Sequence, residues 1–298
     1  MLTRVTLVRD LVDCRSRVLA RRGEVLSQAA VAEAASRARP GPGRPLSASV
    51  VVEDLREPFG DPVYKHVFRQ STVQSTLGRI VLSAELPEEL HQELGVLREV
   101  DWARYRHGIV TALVATRMLL AAVGDARALP ELAAAALLHD LGMRHVKPDP
   151  GGAPLSPADV LEVAGHPLLG GFHLATVLGP HPAVDAALGH HWRCGKGYPR
   201  LSSAPARAVE VIAVASAFAA LTQPRTFRSA AFDARGATDV LVGDAGAGEA
   251  DLESVQLLVH VLRGAQGPMH EVRFGRERVG GAPEDNRYTP IARAVAKA

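Results

Sequence analysis

The 298-residue sequence has little cysteine, almost no net charge and no uninterrupted apolar run. Two cysteines, Cys14 and Cys194, are too few for a disulfide framework. The 34 basic and 32 acidic side chains leave a formal charge of +2, which gives no electrostatic case for binding DNA or RNA. The start, "MLTRVTLVRDLVDC", is broken by Arg and Asp and lacks the charged-then-apolar pattern of a leader. The longest apolar stretch, "GIVTALVATRMLLAAVG", carries Arg117, Thr111 and Thr116 and is expected to fall short of a membrane span. The expectation is a cytoplasmic protein with no membrane partner. Hydrophobic residues make up 47% of the chain, enough to bury a sizeable core.

The pattern changes along the chain. "RVTLVRDLV" and "SASVVVEDL" are β-branched and read as strands. "RVLARRGEVLSQAAVAEAASRA" reads as strand, glycine turn and a helix capped by Ser27. Residues 1–84 are therefore expected to form a small α+β module and linker. From 85 to 263, Ala- and Leu-rich segments predict helices over 87–98, 102–123, 130–141, 157–164, 167–178, 182–191, 205–221 and 251–263. Pro87, Pro130, Pro157, Pro182 and Pro205 are expected just inside helix starts, and "SPAD" at 156–159 fits a capping box. A C-terminal extension, 264–298, holds "HEVRFG" as a possible strand. Leu90, Leu94 and Leu97 make an apolar face for the core or for a homodimer.

Histidine is concentrated. Eight of the 12 lie in 107–191: His107, His139, His145, His166, His173, His181, His190 and His191. Neutral imidazole is the commonest protein ligand for a transition metal. A lone histidine on an apolar helix is usually structural, but "ALLHDLG" ends an apolar helix on the pair His139–Asp140, where a charge needs a partner or a cation. A second pair, His190–His191, stands before a glycine-containing loop in "GHHWRCGKGYP".

The order of these segments resembles the HD-GYP family of metal-dependent cyclic di-GMP phosphodiesterases. "RYRHGIVTALVATRML" is similar to the segment with the leading histidine (His107), "AALLHDLG" to the HD motif (His139, Asp140), and "GHPLLGGFHLA" to the next histidine segment (His166). "HHWRCGKGYP" is similar to the double histidine (His190, His191) and the Gly197-Tyr198-Pro199 tripeptide. "VIAVASAFAALTQPRTFR" is similar to the following helix and its arginine loop (Arg225, Arg228). The likeness covers about 100–262, and "VLARRGEVLSQAAV" resembles the module that often precedes this domain.

The resemblance implies a mainly α, HD-type helical bundle behind a small α+β module. It also implies divalent metal (iron, manganese or zinc) and hydrolysis of cyclic di-GMP or a related nucleotide. It assigns Asp140, His166, His190 and His191 to one cation, and His107 and His139 with a bridging, catalytic Asp140 to another. Arg225, Arg228 and Tyr198 would meet the substrate.

Several family residues are replaced. Ser216 and Ala219 stand for two aspartates, Met143 for a lysine, Trp192 for a glutamate and Ala103 for the glutamate of three-metal members. Water or Cys194 would fill the ligand gap, and Lys196 would supply the missing lysine's charge. Each lost carboxylate removes a negative charge facing a dication. The expectation is one tight and one weak or absent metal, with impaired catalysis. Two alternatives share the residues: an inactive cyclic di-GMP sensor or protein-interaction module, and an HD hydrolase acting on another nucleotide.

Overall fold

The computed structural model describes residues 2–49, 52–146, 156–224 and 230–275. Two short antiparallel hairpin-like sheets open the chain. β1 (Arg4–Thr6) pairs with β4 (Val25–Ser27), and β2 (Leu11–Val12) with β3 (Val18–Ala20). α1 (Gln28–Arg37) follows, its first turn capped by the Ser27 hydroxyl accepting from the Ala30 N–H. β5 (Arg44–Pro45) pairs with β6 (Glu85–Leu86) around α2 (Val52–Gly60) and α3 (Ser71–Leu82). The remainder is helical: α4 (Glu88–Val100), α5 (Trp102–Val123), α6 (Leu129–Leu138), α7 (Pro157–Ala164), α8 (His166–Leu178), α9 (Pro182–Gly189), α10 (Arg207–Thr222), α11 (Ala234–Gly246) and α12 (Leu252–Leu262). The fold is mainly α with a small mixed N-terminal part, as the sequence pattern predicts.

The helices expected from 87 onward are all present, 102–123 and 157–164 with the expected bounds and the others with shifted ends. Two shifts matter. α6 stops at Leu138, not 141, so His139 and Asp140 leave the helix and enter a 3₁₀ turn, Leu141–His145. α9 stops at Gly189, so His190 is its C-cap and His191 lies beyond it. Pro157 and Pro182 occupy first helical positions, Pro130 the second. Pro87 is instead an N-cap, and Pro205 lies ahead of the Ala206 N-cap. The Ser156–Asp159 capping box forms reciprocally.

Two strand expectations fail. "SASVVVEDL" becomes a 3₁₀ turn, Leu46–Ala48, followed by α2, whose first turn carries Glu53 and Asp54 at the positive helix end. Asp54 is buried, taking two bonds from Arg98 (2.9 and 3.1 Å) and one from the Tyr105 hydroxyl (3.0 Å), which fixes the segment as helix against α4 and α5. "HEVRFG" begins as a 3₁₀ turn, Met269–Glu271, and Val272 then buries into the core. Among the described residues, no strand pairs with this segment to complete its backbone hydrogen bonds.

Leu90 and Leu94 are core residues and Leu97 packs against them. α5 is, among the described residues, the one helix long and apolar enough to cross a membrane by length and composition, which the broken run in the sequence does not anticipate. In the fold, 67% of its most apolar window is buried by protein, with α6 and α10 packed along it. A separate small core joins Leu7, Leu11, Ala20 and Leu26 of the N-terminal part to Val146, beyond the 3₁₀ turn, and Leu169 of α8.

Candidate metal centre

Six side chains from four segments converge. The nitrogens of His166, His190 and His191 lie within 4.8 Å of one another, and so do ligand atoms of His107, His139 and Asp140. The rings bridge the two groups: the His139 and His190 centroids are 4.8 Å apart. α5 supplies His107, the end of α6 His139 and Asp140, the start of α8 His166, and the end of α9 His190 and His191. Helix ends dominate because they let a side chain leave the packed surface while the helix holds its backbone.

Backbone carbonyls set the imidazole orientation. His139 Nδ1 faces the Ala136 carbonyl at 2.7 Å, His166 Nδ1 the Val163 carbonyl at 2.6 Å, and His190 Nδ1 the Ala186 and Ala187 carbonyls at 3.0 Å. A carbonyl only accepts, so each Nδ1 carries the proton and each Nε2 keeps a lone pair. Ligating histidines are commonly oriented in this way. The lone pairs then meet. His166 Nε2 lies 3.1 Å from His190 Nε2, and Asp140 Oδ1 lies 3.2 Å from the first and 3.9 Å from the second. Three acceptors face each other with no hydrogen among them. Ligands held about 2.1 Å from one cation stand roughly 3.0–3.4 Å apart; the 3.1 and 3.2 Å separations match that spacing for a divalent metal, and the 3.9 Å one is wider.

The charges agree with that fit. Burial pushes His166 below the usual imidazole range, and it pushes His190 and His191 far below, helped by the neighbouring imidazoles. Burial pushes the Asp140 carboxyl up, and a proton on any of the surrounding His166, His139, His190 and His107 rings pulls it below the usual carboxylate range. Asp140 itself sits at φ −105°, ψ 13°, the sparsely populated bridge region where many site residues are found. Gly142 makes this turn possible. A Cβ there would lie 2.0 Å from the His166 carbonyl oxygen and 2.6 Å from the Gly170 nitrogen, so only glycine lets the turn press on α8.

Ser216 occupies the place between His107 and His139. Its hydroxyl is 3.0 Å from His139 Nε2 and 3.4 Å from His107 Nε2. It donates to His139, whose Nδ1 holds that ring's proton, and this engages the His139 lone pair. Ala219 is fully buried one turn on.

The loop after the double histidine folds back over it. The Tyr198 N–H donates to the His191 carbonyl (3.0 Å), and the buried Tyr198 ring stacks on the His191 ring at 4.7 Å. Gly197 passes so close that a Cβ would fall 1.6 Å from the His191 carbonyl oxygen. Lys196 is directed to the Ala247 carbonyl (2.7 Å) past α11, and Cys194 is exposed. Arg225 and Arg228 lie outside the described residues.

The remaining histidines of the cluster do other work. His181 caps α9 by accepting from the Ala183 N–H. His145 and His173 pair with each other (3.2 Å) on the far side of the 3₁₀ turn. Glu93, which the sequence reading passes over, is buried beside them. A signal was there: Glu93 falls on the apolar stripe at Leu90, Leu94 and Leu97, where an unpaired charge is costly.

No family model matches the sequence, and neither does any curated protein. Among solved structures, the crystal structure of the HD domain of the L. monocytogenes phosphodiesterase PgpH aligns with 58% of this chain and 96% of that one. The identity is 17% and the TM-score 0.44.

Proposed function

We propose that this chain is an HD-type, metal-dependent phosphohydrolase of HD-GYP-like design that acts on cyclic di-GMP or a related nucleotide with reduced turnover. The observation that carries the reading is the meeting of Asp140 Oδ1, His166 Nε2 and His190 Nε2 as three hydrogen-free acceptors. With His191 they would hold one divalent cation. Nitrogen and oxygen donors without sulfur suit iron, manganese or zinc. When bound, such a cation polarises a phosphoryl oxygen and makes water a better nucleophile near neutral pH.

The chain's own residues do the rest. Val163, Ala186 and Ala187 carbonyls lock the two imidazoles in the tautomer that faces inward. The Tyr198 ring fixes the plane of His191. Asp140 supplies the negative charge, and its 26% exposed side chain leaves one face of the centre open. Arg225 and Arg228 carry the phosphate-binding role by resemblance; an arginine fork donates two parallel bonds to a phosphate.

The bonding of Ser216 to both His139 and His107 favours a single occupied position, and hence weak chemistry. The same observation supports the second reading, a dinucleotide sensor without turnover. The test is incubation of the purified protein with cyclic di-GMP and Mn²⁺ or Fe²⁺, following linear product and binding in parallel. Metal-dependent release well below about 1 s⁻¹, abolished in His166→Ala, is the expected result. Binding without product establishes the sensor, ordinary turnover removes the claim of impairment, and failure to hold any metal refutes the reading.

A further inference from the structure

Glu93 places a carboxylate, 1% exposed, on the core-facing side of α4. Three elements converge on it. Oε1 accepts the Cys14 N–H of the N-terminal module at 2.7 Å. Oε2 pairs with the Arg144 guanidinium from the 3₁₀ turn. His173 of α8 approaches Oε1 at 3.6 Å. Burial, with Arg144 and Arg17 nearby, takes His173 down to about 3, so it is neutral near pH 7 and the counter-charge to Glu93 is Arg144.

Arg144 lies four residues after Asp140, in a turn with little slack. The Met143 N–H donates to the Asp140 carbonyl (3.0 Å), Arg104 donates to the Met143 carbonyl (3.0 Å), and Gly142 abuts Gly170 backbone. The N-terminal module holds the same turn from outside. Arg9 donates to the His145 carbonyl, and the module's residues Leu7, Leu11 and Leu26 share a core with Val146 and the half-buried Met143. A rigid turn transmits a displacement of Arg144 to the carboxylate at its head.

We infer that Glu93 is a positioning residue that acts through Arg144 on Asp140, and that the N-terminal module sets the affinity of the centre through this junction. The inference rests on the metal-centre reading. Groups hydrogen-bonded to a ligand typically change metal affinity 10–100-fold, and Glu93, one contact further out, is expected at the lower end of that range.

Glu93→Gln tests it. The amide oxygen still accepts from Cys14, but Arg144 loses its counter-charge. Mn²⁺ titration by calorimetry, alongside thermal unfolding of the apo protein, separates positioning from bulk stability. The expected result is a Kd at least tenfold weaker. Asp54→Asn is the control, since it disturbs another buried carboxylate, held by Arg98 and Tyr105: it lowers Tm and leaves the Kd unchanged. Glu93→Asp, which keeps the charge but retracts it, gives an intermediate Kd and serves if the glutamine variant does not fold. Wild-type affinity in a folded Glu93 variant, or an equal loss in Asp54→Asn, overturns the inference while leaving the metal centre intact. A wild-type protein that binds no Mn²⁺ overturns both.

Discussion

Ser216→Asp puts back the carboxylate that the resemblance expects, and its effects have opposite signs with and without metal. The Ser216 hydroxyl lies 3.0 and 3.4 Å from two imidazole nitrogens and the residue is only 7% exposed. A carboxylate about 4 Å from a unit charge interacts by about 4 kcal/mol at an effective dielectric constant of 20, and a dication doubles that. Desolvation of the buried carboxylate offsets most of the gain. A net improvement of about 1.5–3 kcal/mol remains, roughly 10- to 150-fold in affinity for a second cation. Without metal, the same group is a buried carboxylate placed between two imidazoles, and the apo protein should be destabilised by several kcal/mol. Calorimetric Mn²⁺ titration and thermal unfolding at several Mn²⁺ concentrations read both effects. The variant should melt lower than wild type in chelator and gain more on adding Mn²⁺. A folded variant with unchanged metal stoichiometry and no greater metal-dependent stabilisation would refute the placement of Ser216 at a second cation position.

Two further perturbations probe the frame around the centre. Gly142→Ala forces a Cβ into backbone of α8 and should cost about 3 kcal/mol, the upper end for overpacking, with weaker Mn²⁺ binding; a Tm within 1 °C of wild type would contradict the packing. His173 is neutral in the fold down to about pH 3, whereas its unfolded value is near 6.5. Below 6.5 the unfolded chain therefore binds a proton that the native chain does not, so stability falls as pH falls toward 3, by up to about 1.4 kcal/mol per pH unit from this residue. Denaturant titrations of apo His173→Gln and wild type between pH 4 and 6.5 should show the shallower slope in the variant, and equal slopes would contradict the burial of a neutral imidazole.

The sequence reveals the helices of the second half because Ala, Leu and Val repeat there with little interruption. It does not reveal α2, α3 or α11. α2 begins in "VVED", where β-branched residues suggest a strand and only the partners of Asp54 decide for a helix. α11 contains Gly236, Gly243 and Gly246, which weaken any helical signal, and it gains stability from α10 and α12. The convergence of His107, His139, Asp140, His166, His190 and His191 is legible through motif order alone, since the segments are spread from 107 to 191 and no local periodicity links them. The orientation of the rings is not legible, because it depends on carbonyls freed where helices end. Ser216 is visible in the sequence as a missing carboxylate, but only the fold shows its hydroxyl between two histidines. Glu93 escapes for a related reason: its partners Cys14, Arg144 and His173 belong to three separate elements.

The central claim is that one divalent cation is held by Asp140, His166, His190 and His191. Metal analysis after exhaustive dialysis of protein purified with Mn²⁺ or Fe²⁺ addresses it most directly. The account expects close to one equivalent per chain in wild type and none in His166→Ala. Two tightly held equivalents, or one that survives the loss of His166, would contradict it.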